Sequence, residues 1–94
     1  MEKIRLTNSF LAFIEYDKEE KALFLTLQSG KRFKYTTYTE SSWNKLKEIK
    51  NKGNHIAVHV IGSRKYTYEF VGIVPPAVLN KNNNYYKFLS RWTS

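Results

Sequence analysis

Phe10 to Tyr16 (FLAFIEY) is apolar almost without a break and ends at a charged stretch, Asp17-Lys18-Glu19-Glu20-Lys21. That pattern predicts a buried strand followed by a turn. Ala22 to Gln28 (ALFLTLQ) alternates, with Leu23, Leu25 and Leu27 on one face and Phe24 and Thr26 on the other, and predicts a second strand. Ser29-Gly30 is a turn signal, and Lys31 to Thr37 reads as a third strand. From Thr39 the period lengthens. Trp43, Leu46 and Ile49 recur every three residues, Thr39 or Ser41 suits an N-cap, and Gly53 stands where a helix-ending glycine belongs. A helix is predicted over 39–52. Asn54 to Ile61 (NHIAVHVI) alternates β-branched and polar residues and predicts a fourth strand. Gly62-Ser63-Arg64 turns the chain, and Lys65 to Val71 (KYTYEFV) predicts a fifth. Pro75-Pro76 breaks regular structure, and Lys81 to Asn84 is a polar loop. Tyr85, Phe88, Leu89 and Trp92 then fall at i, i+3, i+4 and i+7, the stripe of an amphipathic C-terminal helix.

The expected order is therefore β-β-β-α-β-β with a C-terminal amphipathic helix. This is an α+β fold: a small antiparallel sheet with helices packed on it. Residues 1–72 would form the α+β unit. Residues 73–94, the Pro-Pro loop and last helix, would pack on the same single domain.

The stretch GKRFKY (30–35) alternates cations and rings, and the hairpin loop before it decides where they point. A two-residue loop, Ser29-Gly30, would set Arg32 and Lys34 on the leucine face. A three-residue loop, Gln28-Ser29-Gly30, pairs Leu27 with Lys31, Leu25 with Phe33 and Leu23 with Tyr35. It also puts the glycine where φ > 0 is needed. The second register matches apolar with apolar, and a one-residue slip would invert the strand. Phe33 and Tyr35 are then mainly core, and Arg32 and Lys34 face the other way.

Asn8 to Tyr35 also carries N-S-F-x-x-x-I-x-Y-D, A-L-x-L-x-L-x-S-G and F-K-Y. This resembles the KTSC domain, a small domain named after the C-terminal extension of some lysyl-tRNA synthetases and also found as stand-alone bacterial proteins. The family's early serine, Tyr-Asp, Ser-Gly and Tyr-x-Tyr match Ser9, Tyr16-Asp17, Ser29-Gly30 and Phe33-Lys34-Tyr35, with Phe33 in place of the first tyrosine. The helix and Gly53 fit too, and the likeness spans residues 8–70, leaving out 73–94. The resemblance implies no established activity; its synthetase context suggests RNA as a ligand.

Charge supports an anionic partner. The net charge is +8, with four basic and five acidic residues in 1–30, nine and two in 31–68, and three and one in 69–94. A basic field concentrated in the middle third attracts nucleic acid, nucleotides or an acidic protein. There is no cysteine, which excludes disulfides and thiolate metal sites and fits a reducing cytoplasm. MEKIRLTNSF has no apolar core or small-residue cleavage site, so no signal peptide is expected, and no apolar run is long enough to cross a membrane.

Few residues suggest chemistry. His55 and His59 are the only histidines, spaced i, i+4. On a helix they would share a face; on a strand they lie about 13 Å apart, too far to share an ion. The alternating surroundings predict a strand, so no metal site is expected. Asp17 is the sole aspartate and clusters with Glu15, Glu19 and Glu20 at a turn that reads as solvated. No G-x-S-x-G, H-E-x-x-H or phosphate-cradling glycine loop is present. The reading is a non-enzymatic binding protein without a cofactor.

Arg32, Lys34, Arg64 and Lys65 are the candidate nucleic-acid contacts, with Tyr66 and Tyr68 at the edge; Phe70 continues the ring alternation. The helix lysines read as a solvated face. The alternative is a protein-interaction or inhibitor module, for example a phage protein blocking a host factor or sequestering a nucleotide. Tyr85, Phe88, Leu89 and Trp92 would serve as its interface with a partner or a second copy.

Overall fold

The two apolar runs flanking the acidic turn form the middle of an antiparallel sheet, as their patterns predict. The computed structural model describes residues 1–75. Its strands are β1 (Glu2–Arg5), β2 (Leu11–Asp17), β3 (Ala22–Leu27), β4 (Lys31–Tyr35) and β5 (Tyr68–Ile73). Between β4 and β5 come helices α1 (Glu40–Glu48) and α2 (Lys52–Ile56), and a π-helical turn over Ala57–Ile61. The sheet order is β1-β2-β3-β4-β5, every neighbour antiparallel.

The β3–β4 hairpin takes the three-residue loop. Leu25 pairs with Phe33 and Leu23 with Tyr35. Gly30 has φ +94° and donates its N–H to the Leu27 carbonyl at 2.9 Å. A Cβ at Gly30 would stand 2.7 Å from the Val74 carbonyl oxygen, so both backbone angle and space require glycine.

The expected order β-β-β-α-β-β is corrected to β-β-β-β-α-α-β. The first difference is β1. Its sequence, EKIR, holds one apolar residue, so no pattern marks it, but Ile4 pairs with Ile14 and extends the sheet by an edge strand. The second is the stretch 54–61, which is helical rather than extended. Ile56 and Val60 are buried whereas Val58 is 54% exposed. A strand would place all three on one face; a helix buries 56 and 60 and turns 58 outward. Asn51 starts this helix, its side chain accepting from the Asn54 N–H at 3.1 Å. The third is the helix end. α1 is capped by Thr39, which accepts from the Ser42 N–H at 3.2 Å, and stops at Ile49 in extended backbone. Gly53 therefore closes nothing; it lies buried in α2, where a Cβ would run into the Asn8 side chain. The last strand is Tyr68–Ile73 instead of 65–71. The C-terminal helix, with Tyr85, Phe88, Leu89 and Trp92, lies outside the described residues.

The helices cover one face. Leu11, Ile14, Tyr16, Leu23 and Leu25 from the sheet meet Trp43, Leu46, Ile56 and Val60 in a single cluster. Tyr16 stacks on Trp43 with centroids 5.3 Å apart and donates its hydroxyl to the Tyr38 carbonyl at 2.6 Å. The Trp43 indole N–H donates to the Glu2 carboxylate at 3.1 Å and joins α1 to β1. That bond, then one from Lys47, holds the Glu2 carboxyl below its ordinary value. Among the described residues no helix is long and apolar enough to cross a membrane.

Candidate nucleic-acid interface

Alternation along β4 sends Lys31, Phe33 and Tyr35 to the helix-bearing face and Arg32 and Lys34 to the opposite one. There the long cations themselves roof the sheet. Lys3 Nζ lies 4.1 Å from the Phe13 centroid, and the Arg32 guanidinium 4.3 Å from that of Phe24. Arg32 pairs with Glu15 at 2.8 Å, and Lys34 with Glu20 at 3.2 Å. Both bases are partly buried and already have anionic partners. Beneath them Thr26 is fully buried, and neither its hydroxyl nor Arg32 Nε has a hydrogen-bond partner within the protein.

The helix-bearing face differs at its β5 edge: the core cluster takes in Tyr35, with Phe33 packed against it, and stops there. Phe33 faces Phe70 and Tyr35 faces Tyr68. Tyr35 and Tyr68 stack at 5.2 Å, and Phe33 and Phe70 meet edge to face at 5.6 Å. Tyr68 is 64% and Phe70 54% exposed. Phe10 and Ile61 are exposed beside them, and Phe10, Ile61 and Tyr68 help to line an apolar hollow of about 280 Å³. Lys31, paired with Ile73, stands exposed at one end of this ladder of rings. Arg64 and Lys65, also exposed, precede β5 at the other.

The six sequence-derived contacts thus separate into three groups. Tyr68 is on the ring ladder, and Arg64 and Lys65 lie on the loop leading to it. Tyr66 is half-buried, its ring 5.4 Å from that of Tyr38. Arg32 and Lys34 are on the far side of the sheet. Sequence reasoning missed Lys31 and Phe10 as members of the surface; Phe33, expected to be mainly core, is half-buried and packs against the core cluster. The alternation that pairs Lys31 with Leu27 was visible and places Lys31 on the ring face; no sequence signal marked Phe10 as exposed.

The helical course of 54–61 also revises the histidines. Their rings are not about 13 Å apart but stand 4.6 Å apart, tilted by 37°. Burial, then His59, hold His55 below the usual imidazole value. Among the described residues no group of three or more His, Cys, Asp or Glu could hold a metal ion. At the acidic turn, Asp17 accepts from the Glu19 and Glu20 N–H groups at 3.0 and 3.3 Å, which shapes the turn.

No family model matches the chain, and no curated protein matches it. The resemblance to the KTSC domain rests on its motif residues alone, and several of these have structural roles here. Asn8 accepts from the Phe10 and Leu11 N–H groups at 2.8 and 2.9 Å. Asp17 and Gly30 shape turns, and Tyr16 and Tyr35 are buried.

Proposed function

We propose that this protein binds single-stranded nucleic acid, RNA foremost, on the exposed β5 rings Tyr68 and Phe70. The observation that carries the reading is that, among the described residues, Tyr68 and Phe70 are more than half exposed, each backed by a β4 ring, the buried Tyr35 and the half-buried Phe33. Unstacked bases lie well on such rings, at about 1–3 kcal/mol per base. Lys31, Arg64 and Lys65 would meet phosphates at the two ends. No base-reading arrangement is present among them, so affinity would be general and salt-sensitive. The KTSC resemblance, with its synthetase context, points the same way. The protein acts by binding, without catalysis, and the lack of cysteine suits the cytoplasm. A second reading uses the same surface for a protein partner. It is favoured by Ile73, 71% exposed beside the rings, which adds apolar area that nucleic acid would not need.

Fluorescence anisotropy with labelled single-stranded RNA, duplex RNA and duplex DNA at three salt concentrations tests the proposal. Single-stranded RNA is expected to bind best, with log K falling against log salt at a slope of about −2, three phosphates at about 0.7 each. Tyr68→Ala with Phe70→Ala should weaken binding at least about tenfold, as the loss of one or two stacked bases requires. Arg64→Glu with Lys65→Glu should flatten the salt slope. Equal binding by the ring variant, or no preference for single strands, would overturn the reading.

A further inference from the structure

His55 and His59 are held together by the same contacts that make this segment helical. Asn51 caps α2, and the His55 N–H donates to the Asn51 carbonyl at 3.2 Å. The winding then widens to a π turn over Ala57–Ile61, closed by the Gly62 N–H on the Ala57 carbonyl at 2.9 Å. Ile56 and Val60 anchor the segment in the core, 0% and 1% exposed. Each histidine directly precedes one of these anchors, so the two imidazoles run together along the core boundary, 4.6 Å apart. His59 is exposed and His55 half-buried.

We propose that His55 and His59 together chelate a divalent transition-metal ion of the Zn²⁺, Ni²⁺ or Cu²⁺ class, one ring nitrogen each. Imidazole is a preferred ligand of these ions, whereas Mg²⁺ and Ca²⁺ prefer oxygen. Two histidines four residues apart on a helix share a face, the spacing that helical zinc sites use. Each metal–nitrogen bond spans about 2.0–2.1 Å, so the rings must approach closely, as these do. The π turn that carries His59 is a rare winding, found often at functional sites. No third protein ligand completes the set among the described residues, so water fills the remaining positions. The adjoining cleft, about 330 Å³ and lined in part by Tyr38, Lys45, Glu48 and Tyr66, leaves room for it. This site is separate from the β4–β5 rings and stands independently of the nucleic-acid reading.

The test uses the full chain without a polyhistidine tag, titrated with ZnCl₂, NiCl₂ and CuCl₂ and with MgCl₂ as control. Calorimetry should show one transition-metal ion per chain and none for Mg²⁺. At free Zn²⁺ about five times Kd, the thermal midpoint should rise by about 4–8 °C. In NMR spectra the imidazole carbon-bound protons of both histidines should move together on adding Zn²⁺. His59→Ala, at an exposed position, should fold and lose at least about tenfold in affinity, since a second ligand to the ion is gone. Unmoved imidazole signals at millimolar Zn²⁺ would overturn the proposal, and so would unchanged stoichiometry and affinity in His59→Ala.

Discussion

In β2 and β3 the side chains that face the helices are closed from solvent: Leu11, Ile14, Leu23 and Leu25 expose 1% or less. On β5 the same face leaves Tyr68 and Phe70 more than half exposed, although KYTYEF alternates as cleanly as ALFLTL. The difference lies in what stands opposite. Trp43, Leu46, Ile56 and Val60 pack over the first three strands and reach as far as Tyr35. Alternation therefore says that a strand has two unlike faces; it does not say that the apolar one is covered. The covered half holds the fold together, and the uncovered half leaves Tyr68 and Phe70 as exposed apolar surface.

The sharpest way to break this comparison is a pair of truncations. Leu46→Ala removes a fully buried side chain under the helix layer and should destabilise by about 2–5 kcal/mol in a denaturant titration. Phe70→Ala should destabilise by about 1 kcal/mol or less, because its ring is largely in water already. Equal losses would mean that Phe70 belongs to the core.

Tyr38 sharpens the boundary, since its ring meets Tyr16 on one side and Tyr66 on the other. Burial, then Tyr66 and Tyr16, push its phenol up to about 12. The folded value lies above the ordinary one of about 10. The stability it contributes is therefore complete below pH about 10 and lost as pH rises toward 12. Burial also raises Tyr16 and Tyr35, so all three act in the same direction. Unfolding free energies from denaturant titrations across this range should fall by on the order of 1–3 kcal/mol, and Tyr38→Phe should flatten the decline. The smallest effect is expected on the other side of the sheet. Thr26→Val replaces a buried hydroxyl that has no protein partner, and should be neutral or stabilising by up to about 1 kcal/mol. A loss of more than about 1 kcal/mol would show that this hydroxyl is bonded through water.

The central hairpins were legible because their signals are local. FLAFIEY, the acidic turn and ALFLTL define two strands, and Gly30 sets the register of the third. Thr39 marks the start of α1 for the same reason: an N-cap acts on amides within three residues of itself. The stretch 54–61 was not legible. Ile56, Val58 and Val60 satisfy a period of two, and Ile56 with Val60 satisfies i, i+4 equally well. Position 58 alone distinguishes the two, and only its exposure decides. β1 was invisible because an edge strand with one apolar residue is specified by the neighbour it pairs with. Of the proposed surface, only part of its geometry was legible. Tyr68, Arg64 and Lys65 were named, but the sequence could not show that Arg32 and Lys34 were already engaged by Glu15 and Glu20.

By itself the sequence determined the charge, the absence of thiol chemistry, the leucine face of β3 and the turn at Gly30. These depend on composition or on residues a few positions apart. Tertiary structure decided the helical course of 54–61, the closeness of His55 and His59, the pairing of Arg32 and Lys34, and the exposure of the β5 rings Tyr68 and Phe70. Each of these depends on contacts between residues distant along the chain, or on how far the helix layer reaches. No short-range period encodes either.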